Sequence, residues 1–457
     1  MHRLAAATAA LALGLTACSD ATPTPPPQET TPPTTSQTPE VSHLTYGVYG
    51  SEAELEAAQR VVDSFNATAR TRRVELVTWP DHETAVRAVL SGDAPDVFMA
   101  SRRDLRRLTD AGATQPVSLL LDERGVDFGD RFSRDAVDAF ALDDELQCMA
   151  YSISPMVIYY NTELVDFEKM ARRGLDVPTT AEDPTDPGER WTLEEFTNAA
   201  RFATRKGRVE GVYIEPTLSG LAPFIYSGGG HVFDDDNEPT SLAFSDEATR
   251  EALDETLAVL RDPTLALGED ELAKATPLGL FKKGKLAMIA GFRDLVPELR
   301  EVEDLSFDVI SMPVLDRAAT VGDIDGLCLS AETEHVNDAA DFMAYAVSDS
   351  AVETVTRTGY VVPANTEVAG SNVFREPGRM PYHAEVFTSS IRGMVVPPLL
   401  DDTAALEAAV HPYLVDLLTA PGVLDLEAAT QVIDEESRTV LAPEETSEGD
   451  PEESETE

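Results

Sequence analysis

Apolar residues change their spacing along this chain, and each change of period marks an element. Residues 44–50 form a strand-like run, and residues 52–66 follow with Leu55, Ala58, Val62 and Phe65 at helical spacing. Residues 74–79 read as a second strand and 83–90 as a second helix, which stops at Ser91-Gly92-Asp93, a C-terminal glycine signal. Residues 96–100 make a third strand. Strand and helix in alternation imply parallel crossovers and an α/β lobe. In such sheets the loops beyond the strand C-termini form the ligand crevice. Here those loops are residues 49–52, 79–82 and 101–103.

Residues 146–161 are again rich in strand formers, and Pro155 among them predicts a bend or a sheet edge. A Pro/Asp loop over 172–190 leads to Trp191-Thr192-Leu193-Glu194-Glu195-Phe196, where Thr192 and Glu195 have the spacing of a capping box. The pattern is then helical to about residue 261, broken at Ser227-Gly228-Gly229-Gly230. A short helix end, Gly284 and a strand occupy 281–292. Strands are predicted at 309–313 and 326–330, a helix at 336–349, and helices again from 403 to about 441.

The two ends differ in kind from the body. A short positive start and an Ala/Leu run over 4–15, too short to span a bilayer, read as an export signal over residues 1–17. The ending Leu15-Thr16-Ala17-Cys18 resembles the lipobox of bacterial lipoproteins. That resemblance implies cleavage before Cys18 and acyl chains upon it, and several chains anchor a protein stably. Residues 18–40 are a Pro/Thr-rich tether with nothing to bury, and residues 443–457 an acidic tail expected to be disordered. The expected location is extracytoplasmic, on the outer face of the bacterial cytoplasmic membrane, with the lipid anchor as the only membrane contact.

The body between tether and tail is about 400 residues, too long for one ordinary core, so two lobes are expected. The chain's formal net charge is -48, from 83 acidic and 35 basic residues. This excludes nucleic acid, whose phosphates demand a basic face, and adhesion to anionic lipid. Of the three cysteines, lipidation of Cys18 leaves Cys148 and Cys328, either as one disulfide or as two separate buried thiols. Neither has a Cys or His near it at ligand spacing, so no metal and no cofactor is expected. The seven His show no zinc spacing, and no Gly-x-Ser-x-Gly elbow is present.

In their order, several local signals resemble the extracellular solute-binding proteins of ABC importers, in the sugar-binding, maltodextrin-type group. Ser91-Gly92-Asp93-Ala94-Pro95-Asp96-Val97 is similar to the family's step into its third strand, and Val157-Ile158-Tyr159-Tyr160-Asn161 to its "YYN" strand. Residues 191–196 resemble its "TW-x-E-F" helix start, residues 281–288 its "F-x-x-GK-x-AM" turn, and residues 336–350 with 359–363 its late helix and "G-x-x-P" loop. The resemblance implies an α/β, two-lobe, periplasmic-binding-protein-like fold. Hinge-crossing strands join the lobes, and a cleft lies between them. One lobe would be 41–147 plus 329–378 and the other 148–328 plus 379–442. The implied function is to bind a small polar solute, a mono- or oligosaccharide, by hinge closure and deliver it to an ABC permease, as a monomer and not as an enzyme. A tethered glycoside-acting enzyme and a surface adhesion protein are the alternatives. The resemblance also sets Cys148 and Cys328 on neighbouring crossing strands and so implies a disulfide between them. The usual Pro after the first hinge strand is absent at residues 149–152, and Phe292-Arg293 replaces the usual Trp near Gly291. With two Trp in all, a sugar site must lean on Tyr and Phe.

Strand-end logic then names the ligand candidates. Tyr49, Ser51 and Glu52 follow the first strand, although Ser51 could equally cap the next helix. Trp79 ends the second strand. Ser101 and Arg102 follow the third, where Arg103, Arg106 and Arg107 read mostly as a solvated helix face. Tyr151 lies near the first hinge strand. Glu215 stands in a loop, and Tyr226 precedes a glycine run that is a turn and not a phosphate loop. Phe292, Arg293 and Asp294 form a favoured cluster, with Arg293 able to fork onto a carboxylate or vicinal hydroxyls. Asp325, preferred to Asp323, precedes Gly326 at the second hinge strand, and Tyr360 follows Gly359. Trp191 is assigned to helix packing.

Overall fold

The computed structural model describes residues 41–178 and 191–443. The expected export signal, Cys18, the tether, most of the Pro/Asp loop and the acidic tail lie outside the described residues. Among the described residues, no helix is long and apolar enough to cross a membrane.

The first lobe is built on a six-stranded sheet. Strands Ser42–Tyr49, Arg72–Trp79 and Val97–Ser101 pair in parallel, with Ser42–Tyr49 in the middle. The helices between them are Glu52–Thr68 and His82–Leu90. Ala57, Ala58, Val61, Val62 and Phe65 recur at helical spacing on the first and are buried against the sheet. Side-chain caps start both helices, Ser51 for one and Asp81 for the other. Three antiparallel strands complete the sheet: Gly322–Ser330 pairs with Val97–Ser101 on one edge and, on the other, with Cys148–Pro155 and with the short strand Thr114–Gln115.

The second lobe has a four-stranded sheet in the order Phe307–Ile310, Val157–Asn161, Leu286–Gly291, Glu210–Tyr213. Both faces of Val157–Asn161 are covered. Ile158 and Tyr160 join one core cluster, Val157 and Tyr159 another. A strand buried on both faces carries no polar alternation, which is why this segment reads as an unbroken apolar run. Strand Glu210–Tyr213 falls inside the stretch whose pattern predicted only helices. It is four residues long and lies between helix Leu193–Ala203 and helix Leu218–Ser227, so helical spacing on both sides masks it. Thr192 and Glu195 form the capping box, and Trp191 is buried beside Phe167 and Phe196, as its place in the sequence predicts.

The chain passes between the lobes at several points. Pro155 ends one strand in the first sheet and Val157 begins another in the second. Ile153 belongs to the first core and Met156 to the second; likewise Ile324 to the first and Val321 to the second. Further passages lie at 361–374, where Val361, Ala364 and Val368 pack on the first core and Val362 and Phe374 on the second sheet's other face, and at 394–400, where Leu399 packs on the first core and Leu400 on the second. Cys148 and Cys328 stand opposite each other on the two crossing strands and form a disulfide. Gly326 is obligatory nearby, because a Cβ there would meet the Phe140 ring at 2.7 Å.

The bond closes a loop of 180 residues. Replacing both cysteines by serine should lower the unfolding free energy by about 5 kcal/mol in the chain-entropy description. Denaturant unfolding of the double variant measures this. An unchanged midpoint would show that strand pairing alone holds the crossing.

Candidate functional site

Three strands converge on one carboxylate. Asp325 stands opposite Ser101 on one side and Ser152 on the other. The Tyr49 hydroxyl donates to Asp325 Oδ1 at 2.5 Å, and Ser152 Oγ donates to Oδ2 at 2.9 Å. Burial pushes the Asp325 carboxyl up, against the pull of those two hydrogen bonds and of His82 and Arg103. Burial, and then the charge of Asp325, pushes the Tyr49 phenol well up, so Tyr49 remains a donor.

A bulge aims the next wall. Ser152 pairs with Asp325 while Ala150 pairs with Gly326, which leaves Tyr151 as one residue too many on its strand. Bulges bend a strand and re-aim its side chains. Tyr151 and Ser152 accordingly face the same cavity, a space of about 690 Å³ also lined by Tyr46, Tyr49, Gly50 and Glu54. The Tyr151 carbonyl accepts from the Ala364 amide at 3.0 Å, which secures the extra residue. Gly50 turns the chain from strand into helix at φ 142°, and a Cβ there would meet Glu54 Oε2 at 2.8 Å. Ser51 caps the helix in a full capping box, donating from its amide and hydroxyl to Glu54 Oε2 at 2.9 and 2.8 Å.

A second space, an apolar groove of about 830 Å³, takes its walls from both lobes. Ser101, Arg102 and Arg103 come from the first, and Tyr226, Phe233 and Phe292 from the second. Arg103 donates to Asp323 Oδ1 and to Glu407 Oε1, both at 3.4 Å. One guanidinium therefore ties the first lobe to a crossing strand and to helix Thr403–Thr419, whose Leu406 and Val410 pack in the second core. The Asp323 carboxyl is pushed up to about 6, chiefly by burial, against Arg103 and with Asp325 and Asp294 adding. Its side chain is 45% accessible, but that surface faces the groove, so protein atoms rather than bulk water set its environment. His82 Nδ1 lies 3.0 Å from Asp104 Oδ2, and this contact raises the imidazole's affinity for a proton.

A family profile described as bacterial extracellular solute-binding protein matches residues 60–381. The chain belongs to that family. Solved structures share the fold of this solute-binding protein across most of both chains. An ABC substrate-binding protein of Listeria monocytogenes, solved with cycloalternan, is 20% identical with TM-score 0.72, over 88% of this chain and 99% of its own. The GacH receptor of Streptomyces glaucescens, solved unliganded and with acarbose, is 18% identical with TM-score 0.68, over 88% and 99%. The maltotriose binding protein of Thermus thermophilus is 17% identical with TM-score 0.65, over 87% and 99%. No curated relative matches the chain.

The solute-binding protein brings together Tyr49, Tyr151 and Asp325 at one cavity, and Ser101, Arg102, Tyr226 and Phe292 at the other. It does not bring the rest there. Trp79 is a core residue, 9% exposed, folded over Gly47 where a Cβ would collide with the indole. Arg293 is 1% exposed. Its Nε donates to the Gly359 carbonyl at 3.0 Å, and its guanidinium stacks on Phe374 and Phe387, so it braces the lobe and cannot fork onto a ligand. Glu52, Glu215 and Asp294 are exposed and Tyr360 is half-buried, and none of the four lines either space. Ser51 caps its helix. The arginines after Ser101 are not a solvated face: Arg102 donates to the Ala139 carbonyl at 3.1 Å, Arg103 spans the lobes, and Arg106 donates to the Leu399 carbonyl at 3.2 Å. Tyr46, Glu54, Ser152 and His82 are not singled out by the sequence, and Asp323 is named there only as second to Asp325. Glu54 carries a signal, the Ser-x-x-Glu of a capping box, but that signal names a helix start and not a cavity wall.

Two outcomes follow from this geometry. The folded-state pKa of Asp323 is above its unfolded value, so the stability this group confers is complete below about pH 4 and is lost as pH rises through about 6. Asp323→Asn should match the wild type below about pH 4 and be the more stable protein at neutral pH, in denaturant unfolding across that range. Arg293→Ala should lose about 3 kcal/mol of stability and leave solute affinity unchanged, because its partners are carbonyls, rings and Glu376, none of which lines either space.

Proposed function

We propose that this chain captures a small polar solute of the carbohydrate class outside the cell and delivers it, chemically unchanged, to an ABC permease. The observation that carries the reading is a groove walled by both lobes, with a cavity of the first lobe, ringed by phenols and carboxylates, beside the same crossing strand. Their linings supply what a sugar needs, flat aromatic faces with a few convergent polar groups. Both Trp are taken up in cores, so Tyr and Phe provide those faces. Neighbouring structures that hold cycloalternan, maltotriose and acarbose support the carbohydrate class.

The lobes close by turning where each crossing strand passes from one core to the other, between Ile153 and Met156 and between Val321 and Ile324. A solute that touches both lobes favours the closed form, and Arg103 with Asp323 and Glu407 adds a closing contact. The lobe limits read from the sequence, the lipid anchor at Cys18 and a monomeric state belong to the same proposal, with the permease reading the closed surface.

A thermal-shift screen over mono- and oligosaccharides, polyols and peptides identifies the solute class, since binding to the folded state alone raises the melting point. A sugar hit should compact the protein in solution scattering, and Asp325→Asn should weaken it about tenfold or more. A tight sugar that produces no compaction, or one released as a hydrolysed product, would overturn the reading.

A further inference from the structure

The cavity around Asp325 has its hydrogen bonds met but its charge unmet. Both Asp325 oxygens already accept hydroxyls, from Tyr49 and Ser152, and Glu54 Oε2 accepts twice from Ser51. Yet among the described residues no Lys, Arg or His lies within salt-bridge distance of Asp325 or Glu54. The nearby cations are engaged elsewhere, His82 on Asp104 and Arg103 on Asp323 and Glu407. Glu54 Oε1 accepts nothing among the described residues.

A second, independent feature points into the same space. Tyr46 is 2% exposed and Tyr151 6% exposed; both line the cavity, and neither hydroxyl has a hydrogen-bond partner among the described residues. Neither is among the polar atoms sealed off from solvent, so both open onto the cavity. With Tyr49 there are three phenol rings, two unclaimed hydroxyls and two uncompensated carboxylates around one space. A neutral hydroxyl could use the acceptors but would leave the charge as it stands. A protonated amine answers all three features, through donation to oxygen, ion pairing and attraction to the ring faces.

We infer that the solute presents a protonated amino group to the cavity formed by Tyr46, Tyr49, Tyr151, Glu54 and Asp325, so that the preferred ligand is an amino-substituted sugar. This rests on the carbohydrate reading above and narrows it. The acidic body of the protein favours the same class of solute at long range.

The test is calorimetric titration of the purified protein with glucosamine, N-acetylglucosamine and glucose, and with their β-1,4-linked disaccharides. The amine members should bind about tenfold or more tighter than their hydroxyl and acetylated counterparts at low salt. That advantage should shrink at about 300 mM salt and fall toward parity in Asp325→Asn and Glu54→Gln. Glu54→Gln keeps the bonds from Ser51, and Asp325→Asn keeps one accepting oxygen while its amide donates to the other hydroxyl; if either fails to fold, the comparison on the wild type decides alone. Equal or tighter binding of the neutral sugars overturns the inference and leaves the carbohydrate reading standing. An amine preference untouched by both variants places the amino group elsewhere and also overturns it. Amine binding without compaction spares this inference and removes the closure mechanism. No binding by any of the sugars removes both.

Discussion

Everything in this molecule depends on two antiparallel strands, Cys148–Pro155 and Gly322–Ser330, that start in one sheet and leave it for another lobe. Within the first sheet they are laddered on either side of one bulge and tied by a disulfide, so that end is rigid. Beyond Ile153 and Ile324 their neighbours belong to a different core. Rigidity at one end and a change of partner at the other confine bending to a few residues. The site residues Ser152, Asp323 and Asp325 sit just at that boundary, where a small rotation alters which atoms face which.

The electrostatics of the crevice follow from the same placement. A polar side chain on a crossing strand is walled by neighbouring strands, on both edges at Asp325 and on one at Asp323, so water reaches it from few directions. Burial therefore raises the carboxyls of Asp325 and Asp323, although hydroxyls and an arginine oppose it. Water on one side and protein on the others is a medium in which charge is neither fully hydrated nor paired, and a ligand can supply what is lacking. In the groove the carboxylates Asp323 and Glu407 are met by Arg103, whereas Asp325 and Glu54 in the cavity have no such partner among the described residues, so the two spaces make different demands of one solute.

Much of this was legible in the sequence because local rules and the final fold agreed. The first strands and helices announce themselves by period, the capping box at Thr192 appears as expected from spacing, and Ser51 takes the capping role that was one of the two open to it. The resemblance to solute-binding proteins implied the crossing strands and with them the Cys148–Cys328 bond. What could not be read was direction. Trp79 and Arg293 both follow strand ends, but one indole turns inward over Gly47 and one guanidinium turns inward between Phe374 and Phe387. A glycine that makes room and a pair of rings more than seventy residues downstream decide those orientations, and no local pattern carries that information. Tyr151 faces its cavity because a bulge shifts the register by one residue, and bulges leave no periodic trace. Strand Glu210–Tyr213 was lost because four residues are too few to establish a period of two between helices.

The disulfide has a consequence for modularity. It clasps the two points where the chain departs for the second lobe and returns from it, and both sulfurs are wholly enclosed. The excursion of 180 residues thus begins and ends at one spot, whatever happens along it. The first lobe can keep its scaffold while the distant half loosens, reshapes its walls or accepts foreign loops. Specificity can drift in one half of such a molecule without unmooring the other.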